Sequence, residues 1–268
     1  MWYLNLALTR LFDVCLWPFR WWPPGGLLAV SALTGVVMLL IFKRASNQTR
    51  IRRAKDLIRG HILALRLFAD EPGVLLASQR AVLRANATYL RYAFLPIVFI
   101  LPPVVLIMVQ LNLRYGPAPG RVGAPLVVTA AFAGALDDNV TLAAPAGVKV
   151  ETAAVRDTYD AAASWRVRPL RAGTYELTIT SRGRSYEKEL VVGGDGTARV
   201  SARRVRGLWA QLMNPGEPPL GGDLKEIRVN YGPRRNALFG VAVSWVLTFF
   251  VASLVAAFAL RRPLRAEI

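Results

Sequence analysis

The residues able to do chemistry are few and scattered. His61 is the only histidine and Cys15 the only cysteine among the 268 residues. That excludes, or nearly excludes, a His-based catalytic triad and a His/Cys metal cluster, and it excludes an intrachain disulfide. Carboxylates gather at Asp137-Asp138, Asp157, Asp160, Glu187 and Glu189. Paired carboxylates suit glycoside hydrolysis or calcium binding, yet solvated turns and strand faces share that composition. Gly193-Gly194-Asp195-Gly196 lacks the Lys-Ser/Thr pair and the following helix of a phosphate loop. The expectation is a protein that is not an enzyme and needs no cofactor or metal.

The other candidates are polar residues set in long apolar runs. Residues 25–42, 93–113 and 237–260 are uncharged runs of 18, 21 and 24 residues, and a helix needs about 20 mainly apolar residues to cross a bilayer. Each run is expected to span a membrane. Ser31 and Thr34 lie in the first, Gln110 and Asn112 near the end of the second, and Ser244, Thr248 and Ser253 in the third. Spacings of three and four put Ser31 with Thr34, and Ser244 with Thr248, on one helix face each. Such groups serve either interhelical hydrogen bonding or a polar groove, and the residues alone leave both open. No carboxylate lies in the runs, which disfavours ion conduction.

Charge orients the spans. Of the net +17, residues 43–92 carry +8 and the longer stretch 114–236 carries +6. Short basic loops stay cytoplasmic, whereas long ones translocate largely regardless of charge. Residues 1–24 are therefore expected outside, 43–92 in the cytoplasm, 114–236 outside, and the tail 261–268, with Arg261, Arg262 and Arg265, inside. There is no cleavable signal pattern, because no basic region precedes a clean apolar stretch.

Residues 1–24 read as an amphipathic helix in the outer interface, with Trp2, Trp17, Trp21 and Trp22 at headgroup depth, Arg10 and Asp13 paired three apart, and Pro18, Pro23 and Pro24 ending the helix. Residues 43–92 read as a basic helical hairpin. Ile51, Ile58, Ile62 and Leu65 recur at helical spacing in the first arm, Asp70-Glu71-Pro72-Gly73 supply the stop, and Leu75, Val82 and Tyr89 recur every seven in the second. Arg50, Arg52, Arg53, Lys55 and Arg59 stripe the first arm, suited to anionic headgroups. In 114–236, glycine and proline punctuate about seven short alternating stretches, among them 149–152, a hairpin over 174–192, and 197–205. These suit a β-sandwich of immunoglobulin-like type, with 215–222 as a connector back to the third span. The fold class expected is an α-helical membrane protein with three transmembrane helices, a cytoplasmic hairpin and an inserted extracytoplasmic all-β domain.

Two stretches carry a family resemblance. Leu95-Pro96-Ile97-Val98-Phe99-Ile100-Leu101-Pro102 resembles the proline-bearing span that follows the cytoplasmic hairpin in YidC/Oxa-type membrane-protein insertases. Thr34 to Phe42, followed by a basic arm with Asn47-Gln48-Thr49, is similar to that family's first core span. The order of elements matches too, over residues 1–115 and, by topology, 237–268. The resemblance implies a three-helix groove open to cytoplasm and lipid, lined by Ser31, Thr34, Met38, Pro96, Pro102, Gln110, Ser244 and Thr248. It also implies that Arg50, Arg52, Arg53, Lys55 and Arg59 contact ribosome, client or anionic lipid, with no specific nucleic-acid recognition. The implied location is the bacterial inner membrane. Many bacterial members carry a groove arginine where this chain has Met38, and their large outer domains precede the first core span, whereas here the β domain lies between the second and third. The rival reading is a non-catalytic envelope protein whose outer sandwich binds a protein or glycan partner.

Overall fold

The computed structural model describes residues 2–45, 48–67, 72–194, 198–238 and 240–261. Asn47, the Asp70-Glu71 stop, the Asp195-Gly196 part of a turn, and the tail arginines Arg262 and Arg265 lie outside these residues. The chain divides into two compact units, one of Met1–Ala29 with Leu106–Phe249 and one of Val30–Val105 with Phe250–Ile268.

The first unit begins with helix α1 (Trp2–Leu16) and a 3-10 turn at Trp17–Phe19. Helix α2 (Pro23–Ala45) starts on its two prolines, two residues ahead of the expected span. Proline lacks an amide that the first turn of a helix could not bond anyway, so Pro23 and Pro24 open the helix rather than merely ending the preceding one.

Among the described residues of the same unit, nine strands form two antiparallel sheets. Strands β1 (Leu126–Phe132), β3 (Val148–Val150), β5 (Ala162–Pro169), β8 (Arg203–Val205) and β9 (Leu224–Val229) pair in the order β3-β5-β1-β9-β8, with β4 (Val155–Asp157) also on β5. Strands β2 (Thr141–Ala143), β6 (Gly173–Ser181) and β7 (Arg184–Val192) form the second sheet in the order β2-β6-β7. The alternating residues the pleat turns inward, Val128, Ala130, Trp165, Val167 and Ile227 from one sheet and Leu177, Ile179, Leu190 and Val192 from the other, make one apolar core. The hairpin expected over 174–192 is β6–β7. Its two-residue turn Arg182-Gly183, at φ +49° and +73°, has the positive dihedrals that match the twist of the strands. The 215–222 connector leads into β9, which lies between β1 and β8 in the larger sheet, not back to a span.

At the start of β6 the Tyr175 hydroxyl donates to the Arg171 carbonyl at 3.0 Å, closing the corner between the two sheets. Gly147 sits against that ring at φ +110°, and a Cβ there would fall 2.8 Å from the ring atoms.

The third apolar run is corrected. Where a helix was expected, β10 (Ala237–Leu238) pairs antiparallel with β11 (Val241–Ala242), and Gly240 between them has φ +85°. Helix α6 spans only Trp245–Leu260. A helix interior cannot hold the positive φ at Gly240, so apolar composition alone overstated the length. Sixteen residues rise about 24 Å, short of the ~30 Å hydrocarbon core.

In the second unit, helix α3 (Gln48–Leu67) and the first part of α4 (Pro72–Tyr115) are the hairpin arms. The Lys55 ammonium lies 5.7 Å from the centroid of the Tyr89 ring, one point at which the two arms meet. The second arm and the second apolar run, expected as separate elements, are one 44-residue helix. Among the described residues two helical stretches are long and apolar enough to cross a membrane, α2 and Gln79–Tyr115 of α4. On α2, Ser31, Thr34, Gly35 and Leu39 form a buried stripe. A Cβ on Gly35 would lie 2.1 Å from the Ser253 carbonyl oxygen of α6, so the helices touch backbone to backbone through a small residue.

The corner generates a prediction. Tyr175→Phe loses one hydrogen bond and is expected to cost about 1 kcal/mol. Gly147→Ala adds both positive-φ strain and a clash with the ring, and should cost more, about 1–3 kcal/mol. Pulse proteolysis across a urea series checks the order. Equal stability of Gly147→Ala and wild type would refute the corner.

Candidate functional site

Helix α1 is turned the opposite way to a helix on a water-facing surface. Its buried positions, Asn5, Thr9, Phe12 and Leu16, recur at spacings of four and three, so a polar stripe faces the protein. Its outward positions are apolar: Tyr3 is 83% exposed, Leu11 57%, Val14 72%, and Trp17 and Trp21 continue the face. Arg10 is exposed as well, on a side chain long enough to carry its charge away from an apolar surface.

What draws the polar stripe inward is Arg114, at the last turn of α4 and 1% exposed. One guanidinium nitrogen, Nη1, donates to the Gln110 carbonyl at 2.9 Å and approaches the Gln110 side-chain oxygen at 3.4 Å. The other, Nη2, donates to the Thr9 carbonyl at 3.1 Å and to Asp13 Oδ1 at 2.6 Å. Phe12 lies under the guanidinium at 5.7 Å, and the Thr9 hydroxyl donates to Gln110 Oε1 at 3.2 Å. A planar fork can meet all of these at once, which an ammonium cannot. The Arg10–Asp13 pair expected from spacing gives way here. The Asp13 carboxylate is paired with Arg114, and with Arg199 at 3.8 Å.

The network runs on into the β portion. Asn5 Nδ2 donates to the Gln211 carbonyl at 2.8 Å on the short helix α5 (Leu208–Met213), and Gln211 Nε2 donates to the Glu217 carbonyl at 2.7 Å. The Glu217 carboxylate accepts from Lys188 Nζ and from the Glu189 amide. Lys188 sits on the core face of β7, fully buried, and also donates to the Ser201 carbonyl at 2.7 Å. Burial pushes the Lys188 ammonium below its ordinary value while Glu217 opposes it. Burial likewise raises the neighbouring Glu189 carboxyl. The end of α4 is capped by the same unit, the Val200 amide donating to the Leu113 carbonyl at 2.9 Å and Asn236 Nδ2 to the Tyr115 carbonyl at 3.0 Å. Terminal carbonyls that no helix can satisfy are thus bonded by the β portion.

The residues singled out from sequence fare differently. Gln110 is buried in the arginine network. Ser31 and Thr34 are buried, and the Thr34 hydroxyl donates back to the Val30 carbonyl at 2.7 Å. Thr248 is buried and donates to the Ser244 carbonyl at 3.2 Å, whereas Ser244 is exposed just ahead of α6. Met38 is half-buried, Pro96 buried and Pro102 exposed. Arg52, Arg53, Lys55 and Arg59 are exposed along α3, with Asp56 beside Arg59 at 3.9 Å. The side chains of Arg50 and His61 lie outside the described residues. Two of the carboxylates in the β portion serve turns: Asp157 accepts the Tyr159 and Asp160 amides, and Asp137 accepts the Ser181 hydroxyl and Arg182 amide. Among the described residues no group of three potential metal ligands forms.

Arg114 escaped the sequence reading. Its signal was an arginine just beyond an apolar run, four residues after Gln110, together with the Asn5, Thr9, Asp13 spacing of four. Comparison of the chain with protein-family models, curated proteins and solved structures gives no match.

Removing one partner of a buried charged network costs about 3–5 kcal/mol, and Arg114→Met is expected to fall in that range. Arg114→Lys keeps the charge but loses the fork, and should recover only part. Both should speed proteolytic cleavage within α1. Wild-type protection of α1 in Arg114→Met would contradict this assignment.

Proposed function

We propose that this chain is a divergent membrane-protein insertase or membrane chaperone. Helix α4 carries the reading. Its 44 residues rise about 66 Å, twice a hydrocarbon core of about 30 Å, so a single rod joins a basic arm to an apolar span. Pro96, Pro102 and Pro103 interrupt the hydrogen bonds of that span. Pro102 and Pro103 cannot donate the amide that would bond the carbonyls of Val98 and Phe99, and such backbone is tolerated in a membrane only beside neighbouring helices or a wet cavity. Phe94, Leu95, Ile97, Val98, Phe99 and Leu101 nevertheless expose their side chains. An apolar, proline-loosened surface next to a basic projecting hairpin suits a client whose own span enters lipid while its polar flank is held near the bilayer. A charge at bilayer centre costs about 2.5–3.5 kcal/mol on insertion scales, which is what such a surface must lower.

The orientation we propose puts the N-terminus and the β portion outside the bacterial inner membrane and the hairpin in the cytoplasm. The Asn5–Gln211 bond supports it by holding α1 and the β portion in one compartment. The outward apolar face of α1 then lies in the outer interface, with its tryptophans at headgroup depth. The α2–α4–α6 groove, with Ser31, Thr34, Met38 and Thr248, belongs to this proposal, as do contacts of Arg50, Arg52, Arg53, Lys55 and Arg59 with client, ribosome or anionic lipid.

A second reading rests on a specific observation in the β portion. Its strand order corresponds to a constant-type immunoglobulin arrangement, with β1, β3/β4 and β5 in one sheet and β2, β6 and β7 in the other, and with β9 in the place of the first strand. The Tyr175 corner at the entry to β6 is a hallmark of that fold. An immunoglobulin-like module of this kind suits recognition of a protein or glycan, with the helices as anchor.

Charge neutralisation separates the two. Replacing Arg50, Arg52, Arg53, Lys55 and Arg59 by glutamine should weaken co-sedimentation with ribosomes or nascent membrane proteins by at least about tenfold, since each basic residue near a surface contributes about 1 kcal/mol. Function that survives replacement of α2, α6 and the span of α4 by unrelated apolar helices would favour the anchor.

A further inference from the structure

We infer that helix α5 is a second lipid contact, with Leu208 and Trp209 seated in the headgroup region of the bilayer surface at which α4 ends. The short helix repeats the inversion of α1. Its buried residue is a glutamine, Gln211, whereas Leu208 is 73% and Trp209 74% exposed. The Gln211 side-chain amide donates to the Glu217 carbonyl at 2.7 Å, and its main-chain carbonyl accepts from Asn5 of α1 at 2.8 Å. A single exposed leucine is ordinary on a protein surface. A leucine and a tryptophan side by side, on a helix that turns an amide inward, suit the boundary between water and lipid.

The level of α5 decides what covers the pair. Met213 and Asn214 share a cavity of about 120 Å³ with Val109, Asn112 and Leu113 of α4. Val109 lies inside the apolar run 93–113, and about 9 Å of helix rise separates it from the end of α4 at Tyr115. The whole of α5 is only about 9 Å long, so Leu208 and Trp209 stand close to the same level. Helix α1 meets the same turns of α4 through Thr9 and Gln110. Two helices therefore flank the emerging span, and both leave apolar side chains exposed where lipid surrounds it. Lipid as the occupant rests on the membrane reading of α4 above, whereas the exposed pair and its level are properties of the fold.

The test uses the full chain with Cys15→Ser, reconstituted into phosphatidylcholine and phosphatidylglycerol vesicles with iodide on both sides. A nitrobenzoxadiazole label is attached to one cysteine at a time: Leu208→Cys, Trp209→Cys, Leu101→Cys in the span of α4, or Tyr159→Cys on an exposed turn of the β portion. Iodide quenches from water, and phosphatidylcholine with a nitroxide near its headgroup quenches from the bilayer. Labels at 208 and 209 should be quenched by the nitroxide lipid, and at least about threefold less by iodide than the label at 159, because an ion enters lipid at a cost. Iodide quenching equal to that at 159 would overturn the proposal. Shielding from both quenchers would overturn it too, since protein would then cover α5. A label at 101 open to iodide would bring down the membrane reading and α5 with it. Lipid contact at 101 without contact at 208 and 209 would bring down α5 alone.

Discussion

Burying one guanidinium organises this protein. Arg114 stands at the end of a long apolar helix, where leaving its charge unpaired would be costly, and the chain brings it Gln110 from the same helix and Thr9 and Asp13 from another. Satisfying that charge dictates the rotation of α1. Once Thr9 and Asp13 point inward, the helical period forces Tyr3, Leu11 and Val14 outward, and a helix of ordinary composition becomes an apolar surface.

The joint also fixes the β portion to α4. Asn5 reaches Gln211, Gln211 reaches Glu217, and Glu217 holds a lysine on the core face of β7. Each link is a buried polar group whose loss strands its partner, so the links stand or fall together. A buried pair such as Lys188 with Glu217 is a poor source of net stability, because desolvation offsets much of the attraction. Its contribution is to select one arrangement of connector and strand, since any other leaves a charge without a partner.

Much of this was legible in the sequence and some was not. Uncharged runs announced α2 and the apolar half of α4, and alternation announced the β6–β7 hairpin, because both signals are periodic and local. Gly240 defeated the third run. Apolar composition is indifferent to backbone direction, and one glycine with positive φ lies between two paired strands where helix was expected. Spacing suggested Arg10 with Asp13, yet proximity along a helix competes poorly with a buried arginine that needs a carboxylate. Lys188 was invisible for the same reason. Nothing near it in sequence reveals that Glu217, 29 residues away, comes to cover it. The Tyr175 corner was readable in principle as a tyrosine at the entry of a strand, four residues after the carbonyl it bonds.

The functional account needs α1 to face lipid, and spin labelling tests that directly. Single nitroxide labels at Leu11, Val14 and Phe12, in a full chain with Cys15→Ser reconstituted into vesicles, report collisions with oxygen, which concentrates in lipid, and with a nickel chelate, which stays in water. The account predicts Leu11 and Val14 accessible to oxygen and shielded from nickel, with Phe12 shielded from both. Leu11 and Val14 as open to nickel as a label on the exposed Arg182 turn would contradict it, and the membrane reading of α1 would fall.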